Sequence, residues 1–229
     1  MSSLQIGDLT ITLTRKNIKN LHLRVYPPDG VIKISAPQRL AETEIRAFVV
    51  AKLPWIKKQQ AKLRSRPRPE AKHYMAGEPH PFRGQLYPLE IAVATGTPHV
   101  RLTSTRLVLH IAPESIETQR AELLNCWYRT QLKTLIPPLI DHWQPRLGVE
   151  VSEWRIKRMK TRWGTCNIAA RRIWLNLELI KYSDRALEYV VVHEMIHLLE
   201  RNHTARFYAL MDQFLPDWRM CRELLNNQS

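Results

Sequence analysis

The stretch Val191-Val192-His193-Glu194-Met195-Ile196-His197-Leu198-Leu199 restricts this chain more than any other. Its apolar positions mark a buried helix. A buried helix that carries two imidazoles and a carboxylate must give each of them a partner, and a metal ion supplies one. Residues four apart on a helix project from one face, so His193 and His197 can bind the same ion. Glu194 stands beside the first of them, placed to polarise a metal-bound water rather than to bind the metal itself. A catalytic zinc site takes three protein ligands and keeps one position open. His203 follows His197 by six residues, where the chain should turn from one helix to the next, and is the expected third ligand.

The surrounding pattern predicts an α+β fold. Residues 4–14 and 21–34 alternate apolar and polar about turns at Gly7-Asp8 and Pro27-Pro28-Asp29-Gly30, which reads as a meander of short antiparallel strands. Residues 43–66 have helical periodicity, with Pro54 expected to kink or divide the helix. Arg66-Pro67-Arg68-Pro69 reads as a stiff linker or turn. Strand-like segments resume at 86–94, 100–103 and 107–111. A helix over 116–147 follows, with an interruption at Pro137-Pro138. Strands at 151–160 and 173–177 flank a break at Gly164. Ser183 is the N-cap expected for a helix over 184–201, a second helix starts near His203-Thr204 and ends before Pro216, and a last one spans 219–225. The expected organisation is a β-rich N-terminal lobe with one basic helix over 1–112 and a catalytic lobe over 113–229, together one continuous unit.

Composition narrows the setting. Apolar residues are 44% of the chain, enough for a sizeable core, and seven glycines with fifteen prolines exclude a collagenous or low-complexity chain. Cys126, Cys166 and Cys221 are an odd number with no CxxC, against a disulfide scaffold or a cysteine zinc knuckle. No apolar run reaches membrane-spanning length, and the N-terminus lacks the pattern of a secretory signal, so a soluble cytoplasmic protein is expected. The formal charge is +14, concentrated in residues 1–112, which hold 18 basic against 7 acidic side chains. An anionic partner such as nucleic acid, a nucleotide or an acidic protein segment would fit this charge; so would a solvated basic helix. Residues 154–177 carry Arg155, Lys157, Arg158, Lys160, Arg162, Arg171 and Arg172 and no acidic residue. Either this run makes the site electropositive, favouring an acidic, phosphate-bearing or DNA-bound substrate, or it protects an edge strand from aggregation.

The string HEMIHLLERNHTARFYALMDQFLPDW, with KRMKTRWGTCN and IWLNLELI upstream, resembles the YgjP-like metallopeptidases, relatives of the SprT and WLM zinc proteases with a zincin-type fold. The family's elements fall on Arg162-Trp163-Gly164-Thr165-Cys166, Leu175-Asn176, His193 to His197, and Asn202-His203-Thr204-Ala205-Arg206-Phe207. The match is close over 155–218 and extends to the N-terminal strands and the Trp55-Ile56 helix, with 64–115 longer than the family and read as an insertion. HEMIHLLERNH also has the metzincin spacing, but Glu200 replaces that pattern's turn glycine. Asn202, which tolerates a left-handed conformation, is the residue expected to make the bend.

The resemblance implies a zincin-like core, with the HExxH helix beside a small antiparallel sheet. It also implies one zinc per chain held by His193, His197 and His203, with Glu194 as the base. Another divalent transition metal would suit the same nitrogen-rich site. A zinc-bound water activated by Glu194 would attack a peptide carbonyl. Arg162, Trp163, Gly164 and Tyr208 are the candidate substrate-binding residues; Tyr208, Arg206, Arg162 and Tyr182 are candidate oxyanion donors. The strand near 157–163 resembles the zincin edge strand that holds an extended peptide. Blander readings stand beside these: Trp163 as core, Gly164 as a bulge, Cys166 as a small buried residue, Glu200 as a partner to a ligand histidine or a helix-end charge. Two rival functions are a metal-dependent nucleoside triphosphate pyrophosphatase, weakened by the lack of a Walker loop and the scarcity of carboxylates for Mg²⁺, and a non-enzymatic nucleic-acid-binding module with a structural metal, for which Glu194 would be superfluous.

Overall fold

A computed structural model describes residues 2–26, 29–65, 72–94 and 96–227. The expected turn at Pro27-Pro28 and linker at Arg66-Pro67-Arg68-Pro69 lie outside the described residues. The chain divides into two compact units, Met1–Ala71 and Lys72–Ser229.

In the first unit, β1 (Ser2–Ile6), β2 (Leu9–Lys16), β3 (His22–Tyr26) and β4 (Val31–Pro37) form a sheet in the order β1-β2-β4-β3, followed by helix α1 (Glu42–Arg64). The alternating pattern makes the strands, but they do not form a simple antiparallel meander. Residues 17–21 carry the chain to the far edge, so β4 returns between β2 and β3 and runs parallel to β2. Ile11, Leu13, Ile32 and Ile34 bury one sheet face with Ile45, Val49 and Ile56 of α1. Pro54 does not divide α1. The carbonyl it leaves without a helical donor belongs to Val50, which is exposed, so water satisfies it.

The second unit begins with β5 (Pro79–Phe82), β6 (Gln85–Val93), β7 (His99–Leu102) and β8 (Leu107–Ile111), in the order β5-β6-β8-β7. Helix α2 (Glu117–Leu147) follows and ends on Gly148, whose φ of 65° is the left-handed cap that glycine adopts freely. Its buried residues Leu124, Tyr128, Leu132, Ile136, Ile140 and Trp143 form one stripe at three- and four-residue spacing. The helix runs through Pro137, Pro138 and Pro145 because the carbonyls four residues back, on Lys133, Thr134 and Asp141, all lie on exposed positions.

Strands β9 (Glu153–Lys157), β10 (Gly164–Asn167) and β11 (Arg172–Asn176) make a small sheet in the order β10-β11-β9. It is mixed rather than antiparallel: β10 and β11 form a hairpin, while β9 pairs parallel with β11. A 3-10 turn (Leu177–Lys181) leads to α3 (Asp184–Ile196), then α4 (Ala205–Phe214) and α5 (Trp218–Asn227). Phe82, Leu89, Leu107 and Leu109 share one core with the α2 stripe, the small sheet and α3. That shared core places residues 72–112 with α2 and α3, so the division falls at 71/72 and not at 112/113. The fold is α+β, and among the described residues no helix is long and apolar enough to cross a membrane.

Candidate metal centre

Helix α3 starts where Ser183 caps it, its side chain accepting from the Ala186 N–H. Val190, Val191, Val192, Met195 and Ile196 bury its core side and leave His193 and His197 half-buried on the other. The helix ends at Ile196, earlier than expected, and His197 is its C-terminal cap residue. Short backbone bonds then tighten the chain, Leu198 to Met195 at 3.0 Å and Leu199 to Ile196 at 2.9 Å. These bonds make the bend. Asn202 is not among the residues with positive φ. Thr204 caps α4, accepting from the Phe207 N–H.

This turn carries His203 back to the other two imidazoles. One ring nitrogen from each of His193, His197 and His203 lies within 4.8 Å of the others. The Nε2 atoms of His193 and His203 are 3.0 Å apart. His197 Nδ1 lies 3.1 Å from the Glu200 backbone carbonyl. A carbonyl only accepts, so Nδ1 carries the proton and the Nε2 lone pair is free. It is therefore the backbone of Glu200 that orients His197; its carboxylate accepts from the Asn202 N–H instead. Burial, then the neighbouring charges of His197, His203 and Arg222, hold His193 down to about 3. Burial and the charges of His197 and Arg222 lower His203 as well. Three converging imidazoles are the donor set that suits zinc or a similar divalent ion.

Phe207, 1% exposed, packs against all three rings, with centroid distances of 4.9, 4.8 and 4.8 Å to His193, His197 and His203. The sequence reading passed over it, although its place in the N-H-[ST]-x-x-F element was a signal. Asn176 was missed in the same way. It is 3% exposed. Its Oδ1 accepts from Met159 N–H, and its Nδ2 donates to the carbonyls of Met159 and Arg162 at 2.9 and 2.8 Å. Its backbone N–H donates to Trp163 O. One buried side chain thus pins the loop that leads into β10.

Glu194 points toward β10 and is 5% exposed. Burial pushes its carboxyl up to about 8, opposed by the charge of Arg162. A Cβ placed on Gly164 would lie 2.6 Å from Glu194 Oε1 and 2.7 Å from its Cγ. Gly164 is therefore the space the carboxylate occupies, and neither a bulge nor a direct substrate contact accounts for it as well.

A cleft of about 1440 Å³ opens over the three histidines and Glu194, with Arg162, Trp163, Gly164, Cys166, Arg201 and Arg222 among its lining. Trp163 also packs edge-on against Tyr182 at 5.0 Å, so it is both core and wall. Tyr208 does not reach the cleft; it lines a side pocket of about 190 Å³ with Tyr189, His193, His203, Phe207, Trp218 and Arg222. Arg206 and Tyr182 line neither cavity. Cys166 is half-buried on the cleft wall, its thiol pushed up to about 11 by burial and the Glu194 charge. The edge strand facing the cleft is β10; β9 ends at Lys157 on the opposite edge, and 158–163 form no strand. Four of the seven basic side chains of 154–177 have carboxylate partners. Arg155 and Arg172 pair with Glu153, Arg158 with Glu178 and Arg171 with Glu150, and of the seven only Arg162 lines the cleft.

An uncharacterized protein, aq_aa15, of Aquifex aeolicus (strain VF5) is 35% identical over 69 residues, which cover 29% of this chain and 63% of that protein's length. The metallopeptidase zymogen of Pyrococcus abyssi abylysin, a solved structure, aligns at 18% identity with a TM-score of 0.37, over 40% of this chain and 91% of its own. Residues 19–228 match the family described as "YgjP-like, metallopeptidase domain". That span begins just before β3 of the first unit and covers the second unit almost to its end, and the chain belongs to the YgjP-like metallopeptidase family.

Proposed function

We propose that the protein is a zinc-dependent peptidase in which His193, His197 and His203 hold the metal and Glu194 is the general base. One observation carries the reading: three imidazole nitrogens converge beside a buried carboxylate that an edge strand has made room for. When bound, the metal supplies Lewis acidity, polarising a carbonyl and lowering the pKa of solvent. The protein's own residues do the rest. β10 pairs with only one strand of its sheet, so its outer edge can receive an extended peptide by strand addition. Glu194 takes a proton at its carboxylate and passes it to the leaving amine. Burial holds that carboxyl well above the usual range, which suits a group that must both accept and release a proton near neutral pH. Arg162 and Trp163 wall the substrate side, and Tyr208 borders the histidines from the side pocket.

The test is a panel of unfolded proteins set against nucleoside triphosphates, with wild-type and Glu194→Gln protein and metal content measured for both. We expect one zinc or similar ion per chain by the ligand count, proteolysis by the wild type, and a Glu194→Gln variant that keeps the metal and loses turnover. Triphosphate hydrolysis without proteolysis would overturn the peptidase reading, and full turnover by the variant would overturn the assigned base.

A further inference from the structure

Many arginines of the second unit have fixed anionic partners. Arg83 pairs with Asp184, Arg155 and Arg172 with Glu153, Arg185 with Asp217 and Glu188, and Arg219 with Asp212. Three do not. The guanidinium groups of Arg162, Arg201 and Arg222 have no hydrogen bond or ion pair with any described residue, and all three are on the cleft wall. They arrive from three separate elements: the loop before β10, the turn after α3, and α5. Arg222 borders both the cleft and the side pocket, as do His193 and His203. Among the described residues the single carboxylate on the cleft wall is Glu194, which is buried.

Arg222 lies over the Trp218 ring at 5.8 Å, but the N–H donors of all three guanidinium groups are left to water, with no carboxylate paired to them. A planar oxyanion satisfies such donors, because a guanidinium donates two parallel hydrogen bonds to it. The size of the cleft, about 1440 Å³, exceeds that of common small-molecule pockets and suits several residues of an extended chain lying along β10. Resting on the peptidase reading above, we propose that Arg162, Arg201 and Arg222 form a carboxylate-binding subsite. It selects polypeptides with an acidic side chain, or a chain-terminal carboxylate, close to the bond that is cut. The cations that line the cleft come from positions scattered in sequence, while Arg155, Arg158, Arg171 and Arg172 of the dense basic run pair with carboxylates.

The experiment uses metal-loaded full-length Glu194→Gln protein, so that binding is read without turnover. Pairs of extended peptides, identical except for Glu or Gln at one position, are compared by calorimetry at low and high salt. We expect at least one position where the Glu peptide binds about tenfold tighter, the scale of a partly exposed charge-assisted pair. That advantage should shrink at high salt, be lost in Arg222→Met and Arg201→Met, and survive in part in Arg222→Lys. Arg201 lies in an exposed turn, so its variant remains informative if Arg222→Met does not fold. Equal affinity within every pair, no binding of either peptide, or an advantage that persists in both Met variants would overturn the subsite. Inorganic triphosphate is the third probe: if it displaces the Glu peptide and binds more tightly in an arginine-dependent way, the arginines serve phosphate and the carboxylate assignment falls. Arginine-dependent binding without cleavage by the wild type would sink the peptidase reading and leave the subsite standing. Cleavage of Glu and Gln peptides at equal rates and affinities would do the reverse.

Discussion

Replacing Gly164 by alanine tests the active-site geometry with a single methyl group. The new Cβ would lie 2.6 Å from Glu194 Oε1, 2.7 Å from Cγ and 2.8 Å from Cδ. Non-bonded carbon atoms sit at about 3.5–4.0 Å, so the carboxylate must withdraw by roughly 1 Å. A displacement of that size at a reacting group lowers the rate by about 10²-fold, which is about 2.7 kcal/mol in the barrier. Overpacking would cost about 1–3 kcal/mol of stability, partly offset by the lower entropy of the unfolded chain. The histidines are not in the clash, so metal content should hold. The assay is kcat on an unfolded protein substrate, with metal content and urea unfolding measured on the same preparation. In a Glu194→Gln background the alanine should add little, because the group it displaces no longer works. Wild-type kcat in Gly164→Ala, or loss of the metal together with activity, would refute the argument that this glycine exists to seat the base.

Other consequences are open to measurement. Phe207→Ala removes the shelf shared by the three imidazoles; we expect metal affinity to fall by about 10–100-fold in chelator competition and stability by about 3–5 kcal/mol in urea. Asn176→Ala frees the loop before β10 and orphans buried backbone groups; a loss of about 3 kcal/mol and faster proteolytic nicking within 158–163 should follow, and unchanged nicking would refute the pinning role. His80 is 3% exposed, and burial lowers its imidazole to about 4, against the opposing charge of Glu78. The unfolded chain therefore takes up this proton first, near pH 6.5, and stability falls as pH drops from there toward 4, by at most about 3 kcal/mol. His80→Gln should flatten the dependence of the urea midpoint between pH 7.5 and 5; an unaltered slope would assign the acid sensitivity elsewhere.

Much of this molecule was written in local pattern. Strands in the first sheet follow from period-two alternation, and α2 and α3 from apolar residues three and four apart, because each depends on neighbours within a turn or two. The placement of His193 and His197 on one face was legible for the same reason, since helical spacing alone sets it. Polar caps at Ser183 and Thr204 marked the starts of α3 and α4. Prolines misled: Pro54, Pro137 and Pro138 predict breaks, yet each sits where the orphaned carbonyl meets solvent, and exposure is not a local property.

Tertiary structure decided everything that joins residues distant in the chain. Gly164 and Glu194 are thirty positions apart, and only the packing of β10 on α3 shows that one is the room for the other. Residues 72–112 belong with the second unit because Phe82, Leu89, Leu107 and Leu109 bury against α2, a contact no periodicity reports. Charge followed the same rule. Composition counted the cations, but which of them meet a carboxylate and which remain to face the cleft depends on distances in space, and a sequence records only distances along the chain.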